Sequence, residues 1–303
     1  MNTKSDGKNI VIRNVGDFDL GQTLKCGQCF HFDEVCPCEY VISAYDRILR
    51  VRQEGDDVIF FDTDEAEREK IWIPYFDLER DYSAIKEYLI ENDEKMEEVI
   101  KANPGIRILN QEFHETLISF IISQNNQIPH IKNTVSAISA RFGRYLGRIG
   151  EKDYYSFPDI DTLGKISEAE YRELKTGFRA PYLCDASWRL NFDPVLRRMA
   201  SHGVKGMSEE ESRSILKSIK GVGDKVANCV MLFSLGYRSS FPIDVWIKRS
   251  MEERYFYGNK ANNDEIMALA VSRFGSFGGY AQQYIFAYGR ANKLGKNKNN
   301  NEM

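Results

Sequence analysis

The stretch from Ser214 to Lys248 reads SILKSIKGVGDKVANCVMLFSLGYRSSFPIDVWIK and decides the fold. Its spacing predicts a helix that ends at Ile219 and a second helix that Asp224 caps at its N-terminus. The glycines between them, Gly221 and Gly223, let backbone N–H groups approach a phosphate closely, and the second helix adds partial positive charge at its N-terminus. The pattern favours a helix-hairpin-helix that grips a DNA backbone, although a Gly-x-Gly turn alone is more often an ordinary tight turn.

Two charged residues of this stretch have the chemistry of a catalytic pair. Lys225 lies in the first turn of the second helix, where the helix dipole disfavours an ammonium and favours a nucleophilic amine. Nineteen residues later, Asp244 follows Pro242 at the start of another helix, where an aspartate commonly serves as an N-cap. We expect Asp244 to be both the cap and the partner of Lys225.

The rest of the chain divides into a β-rich part and a helical part, which predicts an α+β fold. Short β-like runs at 40–43, 48–51 and 58–61, with a turn at 54–57, predict an antiparallel meander. Helical spacing begins at Asp81 and stops at residues 103–105. Further helices are predicted from Phe113 to Ile121, from Ile131 to Phe142, and at 168–175, 182–190, 209–218, 224–235, 246–255 and 264–273.

We therefore divide the chain into three segments. Residues 1–104 are predicted to form an N-terminal antiparallel β domain with flanking helices. Residues 105–292 form a helical region with the helix-hairpin-helix at 214–235 and a Pro-Asp loop at 241–245. The Asn- and Lys-rich tail at 293–303 is predicted to be disordered.

Charge is unevenly distributed along the chain. The net charge is −4, but residues 54–98 carry 17 acids and 5 bases, a net −12, so the remainder sums to +8. Residues 129–150 contain four bases and no acid, which is typical of a phosphate-binding surface and also of an ordinary solvated helix face. The bases are Lys132, Arg141, Arg144 and Arg148.

The cysteines and the hydropathy bear on compartment and cofactors. Six cysteines without a signal peptide predict reduced thiols, and no apolar run is long enough to span a membrane. Cys26, Cys29, Cys36 and Cys38 have a zinc-like density, but the single residue between the last two is a spacing that zinc sites do not normally use. We expect a cytoplasmic protein, associated with the nucleoid if its source is prokaryotic, with no metal.

With these residues in place, the chain resembles the helix-hairpin-helix-Gly/Pro-Asp DNA glycosylases, and within them the 8-oxoguanine DNA glycosylase/lyases. Lys225 matches the family's Schiff-base lysine, and Asp244 matches its invariant aspartate. The resemblance covers nearly the whole chain. It implies that Gly27, Cys229, Gln282 and Phe286 form the pocket for the oxidised base. It further implies DNA contacts from Asn125, Asn126, His130, Phe178, Arg179, Gly221, Gly223 and Trp246.

The implied activity is excision of 8-oxoguanine from duplex DNA followed by strand cleavage, by a monomer without a cofactor. Two positions depart from the family pattern: His130 stands where an arginine reads the opposite cytosine, and Trp246 stands where a histidine is usual. The lack of a C-terminal cysteine cluster argues against the iron–sulfur branch. An alkylated-base glycosylase of the same superfamily, or a non-catalytic DNA-binding protein with this hairpin, are the alternatives.

Overall fold

The computed structural model describes residues 2–5 and 9–294 and begins with an antiparallel sheet. Within these ranges the sheet has six strands in the order β1-β2-β6-β5-β4-β3. The predicted meander is confirmed, because Tyr40 of β4 pairs with Val51 of β5, and Val51 pairs with Phe60 of β6. The strands are β1 Asn2–Ser5, β2 Asn9–Arg13, β3 Phe32–Cys36, β4 Glu39–Ala44, β5 Arg47–Glu54 and β6 Asp57–Phe61.

The sheet buries one apolar face against the segment that follows it. Alternate residues of the strands, such as Ile10, Ile12, Val58 and Phe60, are almost fully buried, as a period of two requires. Trp72 covers this face as part of the same apolar core. The sheet therefore has its own core, separate from that of the helices.

The helical part contains the predicted helices and two that were not predicted, Ile160–Leu163 and Pro194–His202. The six shorter helices predicted after residue 168 are confirmed, each within two residues at both ends. The helices are α1 Leu20–Lys25, α2 Glu65–Glu67, α3 Ile73–Tyr75, α4 Tyr82–Asn92, α5 Lys95–Ala102, α6 Phe113–Ile122, α7 Ile128–Phe142, α8 Ile160–Leu163, α9 Glu168–Glu173, α10 Ala180–Phe192, α11 Pro194–His202, α12 Glu209–Lys217, α13 Asp224–Phe233, α14 Val245–Tyr255, α15 Asn263–Phe274 and α16 Gly278–Ala291.

Helical spacing from Asp81 to 103–105 continues through a break. Asp93 is extended between α4 and α5, and its side chain accepts a hydrogen bond from the backbone N–H of Lys95 at 3.0 Å. The apolar period survives the break, because Leu89 and Met96 are both buried in the core of the helical part. Sequence placed α4 and α5 with the sheet, whereas their apolar faces pack with the helices.

A β-hairpin, unpredicted from sequence, interrupts the helices between α7 and α8. Strands β7 Tyr145–Ile149 and β8 Lys152–Tyr155 pair antiparallel across a turn at Gly150, whose φ is +60°. The sequences of the two strands, YLGRI and KDYY, lack the regular alternation of apolar and polar residues that predicts a strand. Both strands are mostly half-buried or exposed.

The predicted disordered tail at 293–303 lies, from residue 295 onward, outside the described residues. Within the described ranges, no helix has the length and hydropathy to cross a membrane.

Candidate active site

The predicted hairpin joins α12 to α13 and is confirmed in shape. Gly221 has φ +81°, and a Cβ there would lie 2.5 Å from the ring of Tyr182, so only glycine fits. The N-cap of α13 is Gly223 rather than Asp224, whose carboxylate instead pairs with Lys217 at 2.6 Å. The N-terminal N–H groups of α13 therefore have no capping side chain, which leaves them available to an anion.

Lys225 is the second residue of α13 and is half-buried. Its Nζ donates a hydrogen bond to Ser123 Oγ at 3.0 Å, and it lies 4.9 Å from the centroid of the Phe120 ring. Both neighbours belong to the end of α6, about a hundred residues earlier in the chain. The amine is thus held in place by a hydroxyl and an aromatic face.

Asp244 caps α14, as the sequence predicted. Its Oδ1 accepts hydrogen bonds from the backbone N–H groups of Trp246 at 2.9 Å and Ile247 at 2.8 Å. Burial raises the pKa of this carboxyl, while the two N–H groups and the nearby charge of Lys225 oppose the rise. Asp244 is rigidly oriented by the cap, which is what a carboxylate aimed at a reacting centre needs.

Lys225 and Asp244 open onto one cavity of about 730 Å³. All four residues predicted for the base pocket line it, although they come from three distant parts of the chain. The lining includes Gly27, Cys229, Gln282 and Phe286, together with Ser123, Asn125, Asn126, Trp246 and Gln283. A cavity of this size takes a small organic ligand.

Two of the pocket residues have constrained surroundings. Gly27 has φ +82°, and an added Cβ would lie 3.3 Å from Phe286 and 3.4 Å from Ile128. Cys229 is buried, and burial raises the pKa of its thiol to about 11, so the thiol is neutral at pH 7. Both residues therefore leave little free space in the part of the cavity wall that they form.

The predicted DNA-contacting residues fall at the rim and beyond. Asn125 is exposed at φ +47°, and Asn126 uses its side chain locally, donating to the carbonyl of Ile122 at 3.1 Å. Phe178 is 53% exposed, as expected of a side chain that fills a gap in stacked bases. His130 is exposed in the first turn of α7 and does not line the cavity.

Arg179 has a structural task that the sequence did not indicate. It is only 9% exposed, and its guanidinium donates to the carbonyls of Gln124 and Asn125, the latter at 2.9 Å. It also lies 4.4 Å from the ring centroid of Phe178. Arg179 thus ties the loop that carries Asn125 to the start of α10, and its reading of a widowed base stays a prediction.

The basic segment at 129–150 is not the free positive surface that one interpretation of the sequence suggested. Arg141 pairs with Glu173 at 2.6 Å, and Arg148 pairs with Asp153 at 2.6 Å. Arg144 lies 3.7 Å from Asp46, and Lys132 lies 3.6 Å from the ring centroid of Phe32. Each of the three arginines therefore has a carboxylate within 4 Å, and those of Glu173 and Asp46 come from distant parts of the chain.

The early cysteines are divided between core and surface. Cys26 and Cys29 are buried, with the pKa of both thiols raised by burial, whereas Cys36 and Cys38 are exposed. In the part of the chain that the structure describes, no group of three or more His, Cys, Asp or Glu side chains could hold a metal. Within those residues, the four early cysteines therefore do not form a zinc ligand set.

Two functional candidates were missed in the sequence, Ser123 as the partner of Lys225 and Gln283 as a cavity-lining amide. Ser123 gave no signal beyond its place before two asparagines. Gln283 stands beside Gln282 in α16, and two adjacent glutamines on a buried helix are a detectable signal, since buried polar side chains need partners.

A hairpin, a lysine at the start of the following helix and a capping aspartate on one cavity define the class of helix-hairpin-helix DNA glycosylases. Residues 10–117 match the family model described as the 8-oxoguanine DNA glycosylase N-terminal domain. The chain belongs to the 8-oxoguanine DNA glycosylase family, because it also matches solved members of that family over nearly its whole length.

Those members are similar in both sequence and structure. MBOgg1, solved with a low-affinity DNA ligand, is 40% identical at a TM-score of 0.90, with 96% of this chain and 99% of that chain covered. The 8-oxoguanine glycosylase/lyase of Clostridium acetobutylicum was solved with duplex DNA containing cytosine opposite 8-oxoguanine. It is 36% identical at a TM-score of 0.90, with 97% of this chain and 99% of that chain covered. The N-glycosylase/DNA lyase OGG1 of Arabidopsis thaliana is 27% identical over 89% of this chain and 77% of the relative.

Proposed function

We propose that this chain excises 8-oxoguanine from duplex DNA and then cleaves the strand at the resulting abasic site. The observation that carries the proposal is the convergence of Lys225 and Asp244 on one cavity with Gly27 in its wall. The named activity of the similar glycosylase/lyase from Clostridium acetobutylicum supports it. The enzyme acts as a monomer in the cytoplasm, on the nucleoid if its source is prokaryotic.

DNA binding begins with the backbone. The open N-terminus of α13 and the hairpin at Gly221 and Gly223 take a phosphate, which fixes the register of the duplex without reading sequence. The damaged nucleotide leaves the stack at a cost of a few kcal/mol. Phe178 fills the space between the stacked bases and Asn125 the space that the base vacated.

The extruded base enters the cavity between Cys229 and Phe286. The carbonyl of Gly27 accepts the N7–H that oxidised guanine has and normal guanine lacks, and Gln282 reads the Watson–Crick edge. Selection against normal guanine then rests on one buried hydrogen bond, which is worth roughly 1 to 3 kcal/mol when it is mispaired.

Lys225 carries the covalent chemistry. Its neutral amine forms a bond to the anomeric carbon of the sugar, and the glycosidic bond breaks with its electron pair moving to the departing base. The negative charge of Asp244 stabilises the positive character that develops on the sugar. Opening of the sugar transfers a proton from the attached nitrogen to the ring oxygen and gives a Schiff base with Lys225. Loss of a proton from C2′ then expels the 3′ phosphate and cuts the strand.

Sodium borohydride trapping on a duplex that contains 8-oxoguanine tests the proposal. Borohydride reduces the Schiff base to a stable amine, so the wild-type protein becomes covalently attached to DNA. Lys225→Gln is expected to bind the duplex but to form no adduct and release no base, because an amide has no basic lone pair. Persistence of the adduct in Lys225→Gln would remove Lys225 from the mechanism.

Lys220→Gln is the matched control, because Lys220 lies in the same hairpin and its side chain is exposed. It is expected to lower DNA affinity and still form the adduct. The two alternatives give different results: an alkylated-base glycosylase that uses water releases base without any adduct, and a non-catalytic DNA-binding protein gives neither product.

A further inference from the structure

Gln282 and Gln283 are consecutive residues of α16, and both are almost wholly buried at the cavity. Their exposed fractions are 4% and 3%. Successive residues on a helix point about 100° apart, so one neighbour of such a pair usually faces away from a given site. Here both side chains line the same cavity.

The orientation of both amides is fixed by the carbonyl of Pro242. This carbonyl can only accept, so the atom of Gln282 that lies 3.2 Å from it is the donor Nε2, and Oε1 lies on the other side of the amide. The atom of Gln283 that lies 3.0 Å from Gln282 Oε1 must in turn be a donor, its Nε2. Oε1 of Gln283 is therefore the last atom in this series of hydrogen bonds.

That oxygen has no hydrogen-bond partner. It is the one buried side-chain polar atom without a partner among the described residues that line the cavity. Buried acceptors are nearly always satisfied in folded proteins, so an orphan beside a binding cavity marks a place for a donor of the ligand. Gln283 itself lines the cavity, so a ligand bound there lies beside this amide.

We propose that Gln283 is a specificity residue that accepts a hydrogen bond from the exocyclic 2-amino group of the extruded purine. The inference rests on the proposed function and extends the reading of the Watson–Crick edge by Gln282. A guanine-type edge has two adjacent donors, N1–H and the 2-amino group. The two adjacent amide oxygens of Gln282 and Gln283 match these donors.

The test compares two lesions that differ only in this group: 8-oxoguanine, and 8-oxohypoxanthine, which lacks the 2-amino group. Single-turnover base release from otherwise identical duplexes gives a rate ratio for each protein. The wild type is expected to favour 8-oxoguanine by about five- to 150-fold, the range for leaving one buried acceptor unpaired. Gln283→Met has similar length and no acceptor, so its ratio is expected to fall to about one or two, mainly through slower release of 8-oxoguanine.

A purely structural role gives a different pattern. If Gln283 only supports Gln282, Gln283→Met slows release of both lesions equally and leaves the ratio unchanged, which overturns the proposal. Cleavage of a preformed abasic site, which has no base to read, is expected to be unaffected and reports correct folding. Should that variant fail to fold, equal wild-type rates on the two lesions contradict the proposal, and a clear preference for 8-oxoguanine supports it.

The outcomes also separate this inference from the proposed function. Failure of the wild type to release 8-oxoguanine contradicts the function itself. Release of 8-oxoguanine with equal release of 8-oxohypoxanthine contradicts only the role of Gln283. Gln127→Met makes the same chemical change at an exposed position on the rim of the cavity and is expected to keep the wild-type ratio.

Discussion

Gly27 is restricted both by its backbone conformation and by the neighbouring side chains of the cavity. Its φ of +82° is unfavourable for a residue with a side chain, and the ring of Phe286 lies 3.3 Å from an added Cβ. We expect Gly27→Ala to slow excision of 8-oxoguanine by about five- to 150-fold, since narrowing the pocket costs about 1 to 3 kcal/mol. Cleavage of a preformed abasic site should change little.

Gly55→Ala is the control for backbone strain alone. Gly55 has φ +61° with no atom within 4 Å of the added Cβ, and it lies in a sheet turn away from the cavity. It is expected to lose stability while keeping the excision rate of the folded protein. Equal losses of excision and duplex affinity in Gly27→Ala would instead make Gly27 a turn residue only.

Asp244 combines a structural and a chemical role that one substitution can separate. Asparagine is as good an N-cap as aspartate but carries no charge. Asp244→Asn is therefore expected to keep the melting temperature while slowing base release about 10²- to 10³-fold. Chemical denaturation and single-turnover release, measured on the same preparation, check this. A large loss of stability would mean that the charge is needed for folding.

Helix α10 is the element that connects the exposed aromatic side chain of Phe178 to the hairpin. Phe178 and Arg179 lie immediately before it, Tyr182 on it packs against Gly221, and Asp185 accepts from the backbone N–H of Lys220 at 2.9 Å. One rigid helix thus contacts both the hairpin and the residues beside the Asn125 loop. Helix α10 therefore sets the spacing between Phe178 and the hairpin.

We expect Arg179→Lys to loosen the Asn125 loop even without DNA. Lysine keeps the charge but lacks the planar fork that reaches the carbonyls of Gln124 and Asn125. The loss of these bonds should lower the free energy of unfolding by about 1 to 3 kcal/mol and slow excision. Urea denaturation of the DNA-free protein is the deciding measurement, because a residue that only contacts DNA would leave it unchanged.

Arg172→Lys supplies the comparison for that variant. Arg172 is exposed on α9 and pairs with Glu168 one turn away, an arrangement worth about 0.3 to 0.5 kcal/mol. Its substitution should leave both stability and excision close to wild type. Equal effects of the two substitutions would show that Arg179 has no special role in the loop.

At the level of the whole molecule, Glu112 joins the sheet to the helical part. It precedes α6, and its Oε2 accepts from the backbone N–H of Tyr45, beyond the end of β4, at 2.6 Å. Burial, helped by the nearby charge of Glu115, raises the pKa of Glu112 to about 8. The folded protein therefore holds a proton on Glu112 over a range in which the unfolded chain has lost it.

This raised pKa makes stability depend on pH in a defined direction. The protonated form favours folding, so the contribution of Glu112 is fully present below its ordinary pKa of 4.5 and is lost as the pH rises to about 8. Glu112→Gln mimics the protonated form and should be more stable than wild type by an amount that grows from pH 5 to pH 8. Each pKa unit corresponds to about 1.4 kcal/mol, so the gain reaches a few kcal/mol.

Denaturation curves at pH 5, 6, 7 and 8 check this prediction. Glu97→Gln makes the same change at an exposed residue that pairs with Lys101 within one helix, and it should show a small difference with little dependence on pH. A constant difference between Glu112→Gln and wild type over this range would contradict the assigned pKa.

The sequence by itself determined the elements whose cause is local. Apolar periods specify strands β4, β5 and β6 and most of the longer helices, as the burial of Leu117, Val135 and Val230 on their predicted faces demonstrates. The hairpin followed from Gly221 and Gly223 between two helical periods, and the cap of α14 followed from an aspartate two residues after a proline. The resemblance then identified the pocket residues, because it compares positions along the whole chain.

Tertiary structure decided everything that depends on partners distant in sequence. Lys225 meets Ser123, Arg179 meets the loop at Gln124, and Arg141 of the basic segment at 129–150 pairs with Glu173. The orphan oxygen of Gln283 exists because the carbonyl of Pro242, 41 residues earlier, fixes the amide of Gln282 between them. Local spacing carries no information about such contacts, since only the packed chain brings these groups within hydrogen-bonding distance.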